Sequence, residues 1–108
     1  MGFADVHAHL THPRFAGRLE EVLGAAAEAG VSTILVNGLN PHDNEAARAL
    51  AARESQVKAA FGFYPVDTVI AEMRELGVEY PREGQEYTAE EGLAWLRAHA
   101  AEAFAIGE

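Results

Sequence analysis

The apolar positions change period several times along the chain, and each change marks a different element. Phe3-Ala4-Asp5-Val6 is a short, mostly apolar run leading into His7-Ala8-His9-Leu10, the pattern of a buried strand that ends in a functional tip. Over residues 18–29, Leu19, Val22, Leu23, Ala26 and Ala29 recur at steps of three and four, and Gly30 follows as a stop, which predicts a helix. Residues 31–36, Val-Ser-Thr-Ile-Leu-Val, are β-branched and nearly continuous in apolar character up to Asn37-Gly38, as in a strand covered on both faces. Asp43 or Asn44 caps a second helix running to about Glu54, with Ala46, Ala47, Leu50 and Ala51 on one side. A third strand spans residues 57–63 and is stopped by Tyr64-Pro65.

Val69, Ile70, Met73 and Leu76 give a further amphipathic pattern over residues 66–76. Pro81, Gly84 and many carboxylates then break it over residues 77–87, which reads as a surface insertion or linker. Thr88-Ala89-Glu90-Glu91 is a capping box, and the helix it opens runs through Leu93, Trp95 and Leu96 to about Ala101. Residues 103–108 form a fourth strand. The order β-α-β-α-β-α-α-β belongs to the α/β class and implies parallel strands joined by right-handed helical crossovers. An open set of four strands leaves two sheet edges exposed, so something is expected to cover them.

With 108 residues the chain has room for one core, and for less than half of an eight-stranded β/α barrel, which takes about 250. Eight Lys and Arg against 17 Asp and Glu give a net charge of −9, which opposes non-specific attraction to a phosphate backbone. The same balance suits a nuclease only where bound divalent cations supply the positive potential. The absence of cysteine removes disulfides and thiolate metal sites. No stretch resembles a secretory signal or approaches the roughly 20 apolar residues that cross a bilayer, so a soluble cytoplasmic protein with no membrane partner is expected.

The sharpest chemical signal is Asp5-Val6-His7-Ala8-His9. The strand period of two puts Asp5, His7 and His9 on one side, so two imidazoles point into one space, with a carboxylate near enough to fix a ring tautomer. Neutral imidazole is a good ligand for zinc and similar ions. Two His at this spacing alone slightly favour ordinary polar residues at a strand end; what favours a ligand pair is their place at the carboxyl end of a parallel sheet, where α/β barrels hold their reactive groups. The other candidates read as structural. His12 and His42 are loop surface residues, His99 sits near a helix C-terminus where an imidazolium suits the dipole, and Trp95 is core. Glu79, Glu83, Glu86, Glu90 and Glu91 converge on no point and form a solvated acidic surface.

Asp5-Val6-His7-Ala8-His9-Leu10, the 31–36 strand ending in Asn37-Gly38, the Gly62-Phe63-Tyr64-Pro65 turn and the terminal Ile106-Gly107-Glu108 resemble, in order and spacing, the start of the TatD-like family of metal-dependent deoxyribonucleases. The resemblance implies the N-terminal part, about four β/α units, of a metal-dependent hydrolase TIM barrel. Residues 1–108 would then be one partial barrel domain, incomplete at its C-terminus. It implies His7 and His9 as ligands of one ion of a two-metal centre holding Zn, Mg or Mn, with Glu108 bridging both ions. Further His and Asp ligands and the general base would lie on later strands, so this segment alone is expected to be inactive. Many members have His before the Pro of the strand-three turn. This chain has Tyr64 there, whose phenol either donates a hydrogen bond to a substrate phosphate or packs.

On this reading the intact protein hydrolyses phosphodiester bonds, with DNA or another phosphodiester as substrate. The alternatives are a non-catalytic half-barrel that serves as a binding or assembly module, and another amidohydrolase-type activity on the same fold. In each case the remainder of the barrel, or a partner chain, covers the open sheet edges.

Overall fold

The computed structural model describes residues 2–81 and 87–107. The four strands are β1 (Phe3–Ala8), β2 (Val31–Asn37), β3 (Val57–Phe61) and β4 (Ala105–Ile106), and the four helices are α1 (Leu19–Glu28), α2 (Pro41–Arg53), α3 (Ile70–Glu75) and α4 (Ala89–His99). The strands form one parallel sheet in the order β1-β2-β3-β4, each connection passing through helix. This is the parallel α/β sheet expected from the alternation of periods, curled into the half-barrel that the family resemblance implies.

The core lies between the sheet and its helices. Ile34, Val36, Val57, Ala59 and Phe61 from the central strands pack with Leu10, Leu23, Ala47 and Leu50, and Trp95 and Leu96 of α4 close over them. Phe61 and Val36 are fully buried, each contributing about 1.5–3 kcal/mol by leaving water. Phe61 also meets Trp95 edge-on, ring centroids 5.0 Å apart. The outer strands differ. Among the described residues β1 pairs only with β2, and β4 only with β3. Phe3 and Val6 on β1, with Phe104 and Ile106 around β4, are accordingly more than half exposed.

Several boundaries move from their sequence-based positions. Helix α2 starts earlier than a cap at Asp43 or Asn44 would allow, because Asn40 is the cap: its side-chain oxygen accepts the Asp43 N–H at 2.8 Å. Pro41 fills the first turn, where its missing N–H costs nothing. Strand β3 stops at Phe61, two residues short of expectation, and β4 is only two residues long. The 66–76 pattern divides into a 3-10 turn, Pro65–Val69, followed by α3. Thr88 and Glu91 form the expected reciprocal capping box. Of the 77–87 linker and the acidic run, residues 82–86 lie outside the described residues, and so does Glu108 at the end of the fourth strand.

Candidate metal centre at the carboxyl rim

His7 and His9 lie together at the carboxyl end of β1, beside an irregularity in its pairing. Between Asp5 and Ala8 the register with β2 slips: three steps along β1 face two along β2, from Ile34 to Val36. Such a bulge takes a residue out of the ladder and re-aims side chains, a recurrent device beside active sites. The Asp5 carboxylate accepts the main-chain N–H of His7 at 3.1 Å. Asp5 thus steadies the backbone of the bulge from which the His7 ring projects. β1 then ends at Ala8, leaving His9 one residue past the strand.

The two rings meet edge to face, centroids 5.0 Å apart, with Nε2 facing Nε2 at 3.2 Å. On the far side of His9, Nδ1 lies 2.9 Å from the Asn37 carbonyl oxygen. A carbonyl only accepts, so Nδ1 carries the proton, and the neutral ring presents its Nε2 lone pair towards His7. Two imidazole nitrogens on one ion at about 2.0–2.1 Å, separated by the observed 3.2 Å, subtend about 100°, close to the tetrahedral angle. The pair thus has the separation and, for His9, the tautomer that a shared cation needs. Among the described residues no group of three or more His, Cys, Asp or Glu side chains gathers in this way.

The same rim carries the strand-three turn. Asn44, 1% exposed, donates to the Gly62 carbonyl at 2.8 Å and accepts the Gly62 N–H at 3.1 Å, tying α2 to the end of β3. Tyr64 follows, its N–H on the Leu39 carbonyl at 2.7 Å. The Tyr64 hydroxyl shares a hydrogen bond with Tyr80, and this bond is the main reason the Tyr80 phenol titrates above its ordinary value. The buried Tyr87 brings its hydroxyl within 3.0 Å of Asp67 Oδ2 and 3.2 Å of the Leu39 carbonyl. One proton there serves two acceptors, holding the segment after β3 onto the loop after β2.

The remaining histidines lie apart from this pair in the fold. His12 caps a 3-10 turn by accepting the Arg14 N–H at 3.1 Å. His42 is exposed within α2 rather than in a loop. His99 stacks on Trp95 and bonds Glu102 at 2.9 Å. Asn37 is the residue of this site that patterning did not single out. It is a polar residue closing an apolar strand immediately before a glycine, and that position was its only signal.

A family model for TatD related DNase matches residues 4–108. The chain belongs to the TatD related DNase family. One relative is the 3'-5' ssDNA/RNA exonuclease TatD of Enterobacter lignolyticus (strain SCF1), 36% identical over 64 residues, which cover 59% of this chain and 25% of that protein. Among solved structures, the TatD homologue YjjV of Escherichia coli K12 superposes with a TM-score of 0.70 at 28% identity, over 98% of this chain and 36% of the YjjV chain. The chain therefore spans well under half the length of these relatives of its family. No helix among the described residues is long and apolar enough to cross a membrane.

Proposed function

We propose that this chain supplies the first part of the active site of a divalent-metal-dependent phosphodiester hydrolase, a TatD-like deoxyribonuclease. The observation that carries the reading is the His7–His9 pair, with Nε2 facing Nε2 at 3.2 Å and the His9 tautomer set by the Asn37 carbonyl. Membership of the family and the exonuclease name of one relative support nucleic acid as the substrate class, with DNA first. A cytoplasmic location fits the cysteine-free sequence.

Under this proposal His7 and His9 would hold a divalent ion, and the family motif implies the carboxylate of Glu108 as a further ligand. Such ions, when bound, lower the pKa of a water and polarise a phosphoryl oxygen, and zinc, magnesium and manganese all suit mixed imidazole and carboxylate ligation. The chain's own groups do the positioning. Asp5 fixes the bulge from which His7 projects, and Tyr64, its hydroxyl already oriented by Tyr80, is placed at the rim to donate to a substrate phosphate. The −9 net charge makes the cations the local attraction for a polyanion. The half-exposed apolar residues on β1 and around β4 are covered by further barrel units or by a partner chain.

Two measurements test this. A chimera in which residues 4–108 replace the matching part of YjjV should release nucleotides from single-stranded DNA when manganese is present, and the change of both His7 and His9 to Ala should abolish that release. The 108-residue chain alone should bind the ion weakly and turn over negligibly, because few ligands on open strands do not pre-organise a two-metal site. Undiminished cleavage by the doubly substituted chimera contradicts the assignment.

A further inference from the structure

Asn37 is 4% exposed, and a polar side chain so deeply buried is costly unless its groups are used. Its Nδ2 lies 3.2 Å from the Leu35 carbonyl of its own strand and 3.5 Å from the Val6 carbonyl of β1, the residue before His7. Both neighbours are acceptors, so the amide nitrogen must face them, and this fixes the direction of Oδ1. Oδ1 accepts no hydrogen bond from a described residue and points at β4. A Cβ added to Gly107 would stand 2.7 Å from it. The side chain therefore passes over β3 to reach a residue two strands away, as residues of alternate strands do inside a β/α barrel, where they share one layer. The main chain of Asn37 meanwhile accepts the His9 Nδ1 proton at 2.9 Å.

We infer that Asn37 is a positioning residue for the His7–His9 pair. Its amide is a strut between the bulged end of β1 and Gly107, the residue after β4, and by holding the end of β2 in place it aims the carbonyl that selects the His9 tautomer. Gly107 is glycine because the strut occupies the space a Cβ would take. This role extends the proposed metal reading to a residue that touches no ion, and only the affinity part of its test rests on that reading.

The test uses the 108-residue chain with zinc alone as the probe. Asn37→Ala should lower zinc affinity by about 10-fold or more, the usual effect of losing a group that orients a ligand. It should also turn the single Nδ1–H tautomer of His9, read from ring 15N shifts without metal, into a mixture. Gly107→Ala, which pushes on Oδ1 from the other side, should act in the same direction. The double variant should be no worse than Asn37→Ala, because the clash needs the amide. Where Asn37→Ala does not fold, Asn37→Asp carries the test, keeping the shape while setting an acceptor against two carbonyls. A lower melting temperature with the His9 tautomer and zinc affinity unchanged overturns the inference, as do independent, additive effects of the two changes. If the unaltered chain binds no zinc, the metal reading fails, while the metal-free tautomer measurement still decides the role of Asn37.

Discussion

Replacing Asn44 by Ala should destabilise the chain more than any other single polar change on α2. The side chain is 1% exposed and makes two bonds with one residue, donating to the Gly62 carbonyl and accepting the Gly62 N–H at 2.8 and 3.1 Å. Truncation strands both main-chain groups at the buried end of β3. Each unpaired buried group costs about 1–3 kcal/mol, and partial entry of water reduces the sum, so about 3 kcal/mol is expected in all. For a domain of this size that is a drop in melting temperature on the order of 15–20 °C. Asn40→Ala is the internal control. It removes the α2 cap from a less buried position and should cost about 1 kcal/mol. Denaturant titrations followed by circular dichroism compare the two, with an unchanged m-value showing that the unfolded reference is the same. A loss for Asn44→Ala no larger than that for Asn40→Ala would refute the reasoning, because the Gly62 clamp would then contribute little.

Phe61→Ala, at a fully buried position in edge contact with Trp95, should cost about 3–5 kcal/mol, read from the red shift of Trp95 fluorescence on unfolding in a urea titration. Gly38→Ala should prevent stable folding, since its Cβ would overlap Asn44 Oδ1 and stand 2.9 Å from the Asn44 Cα; a soluble variant with native circular dichroism would contradict this. Tyr87→Phe removes the proton shared by Asp67 and Leu39 and should cost about 1 kcal/mol, measured in the same way. The Glu102 carboxyl is held below its ordinary value of 4.5, first by the hydrogen bond from His99 and then by Arg48. A lowered folded value stabilises above the unfolded pKa and is lost as pH falls through the folded one, so Glu102→Gln should flatten the acid limb of a plot of denaturation midpoint against pH and leave its slope near neutrality unchanged.

Much of the fold was legible because its signals are local. The 18–29 periodicity, the β-branched run before Asn37 and the Thr88–Glu91 box are each decided within a dozen residues, and each appears in the structure close to its expected place. The misplaced α2 start shows two local signals in competition. Asp43 and Asn44 have cap chemistry, but Pro41 marks the first turn, and Asp43 is used instead to hold the Leu39 N–H and the Thr11 hydroxyl. What was not legible depends on register between strands. The bulge at Val6-His7, the turning of Asp5 onto the backbone and the reach of Asn37 to Gly107 all follow from how distant segments align. Spacing alone reports which residues share a strand; it does not report where the pairing with the next strand slips by one residue.

A single cation is expected between His7 and His9. Zinc-edge X-ray absorption on the zinc-loaded 108-residue chain measures this without any appeal to activity. Two imidazole nitrogens at about 2.0–2.1 Å are expected, with the imidazole scattering lost when His7 and His9 are both changed to Ala. A spectrum that is the same before and after those changes, or one showing only oxygen neighbours in the unaltered chain, would contradict the account.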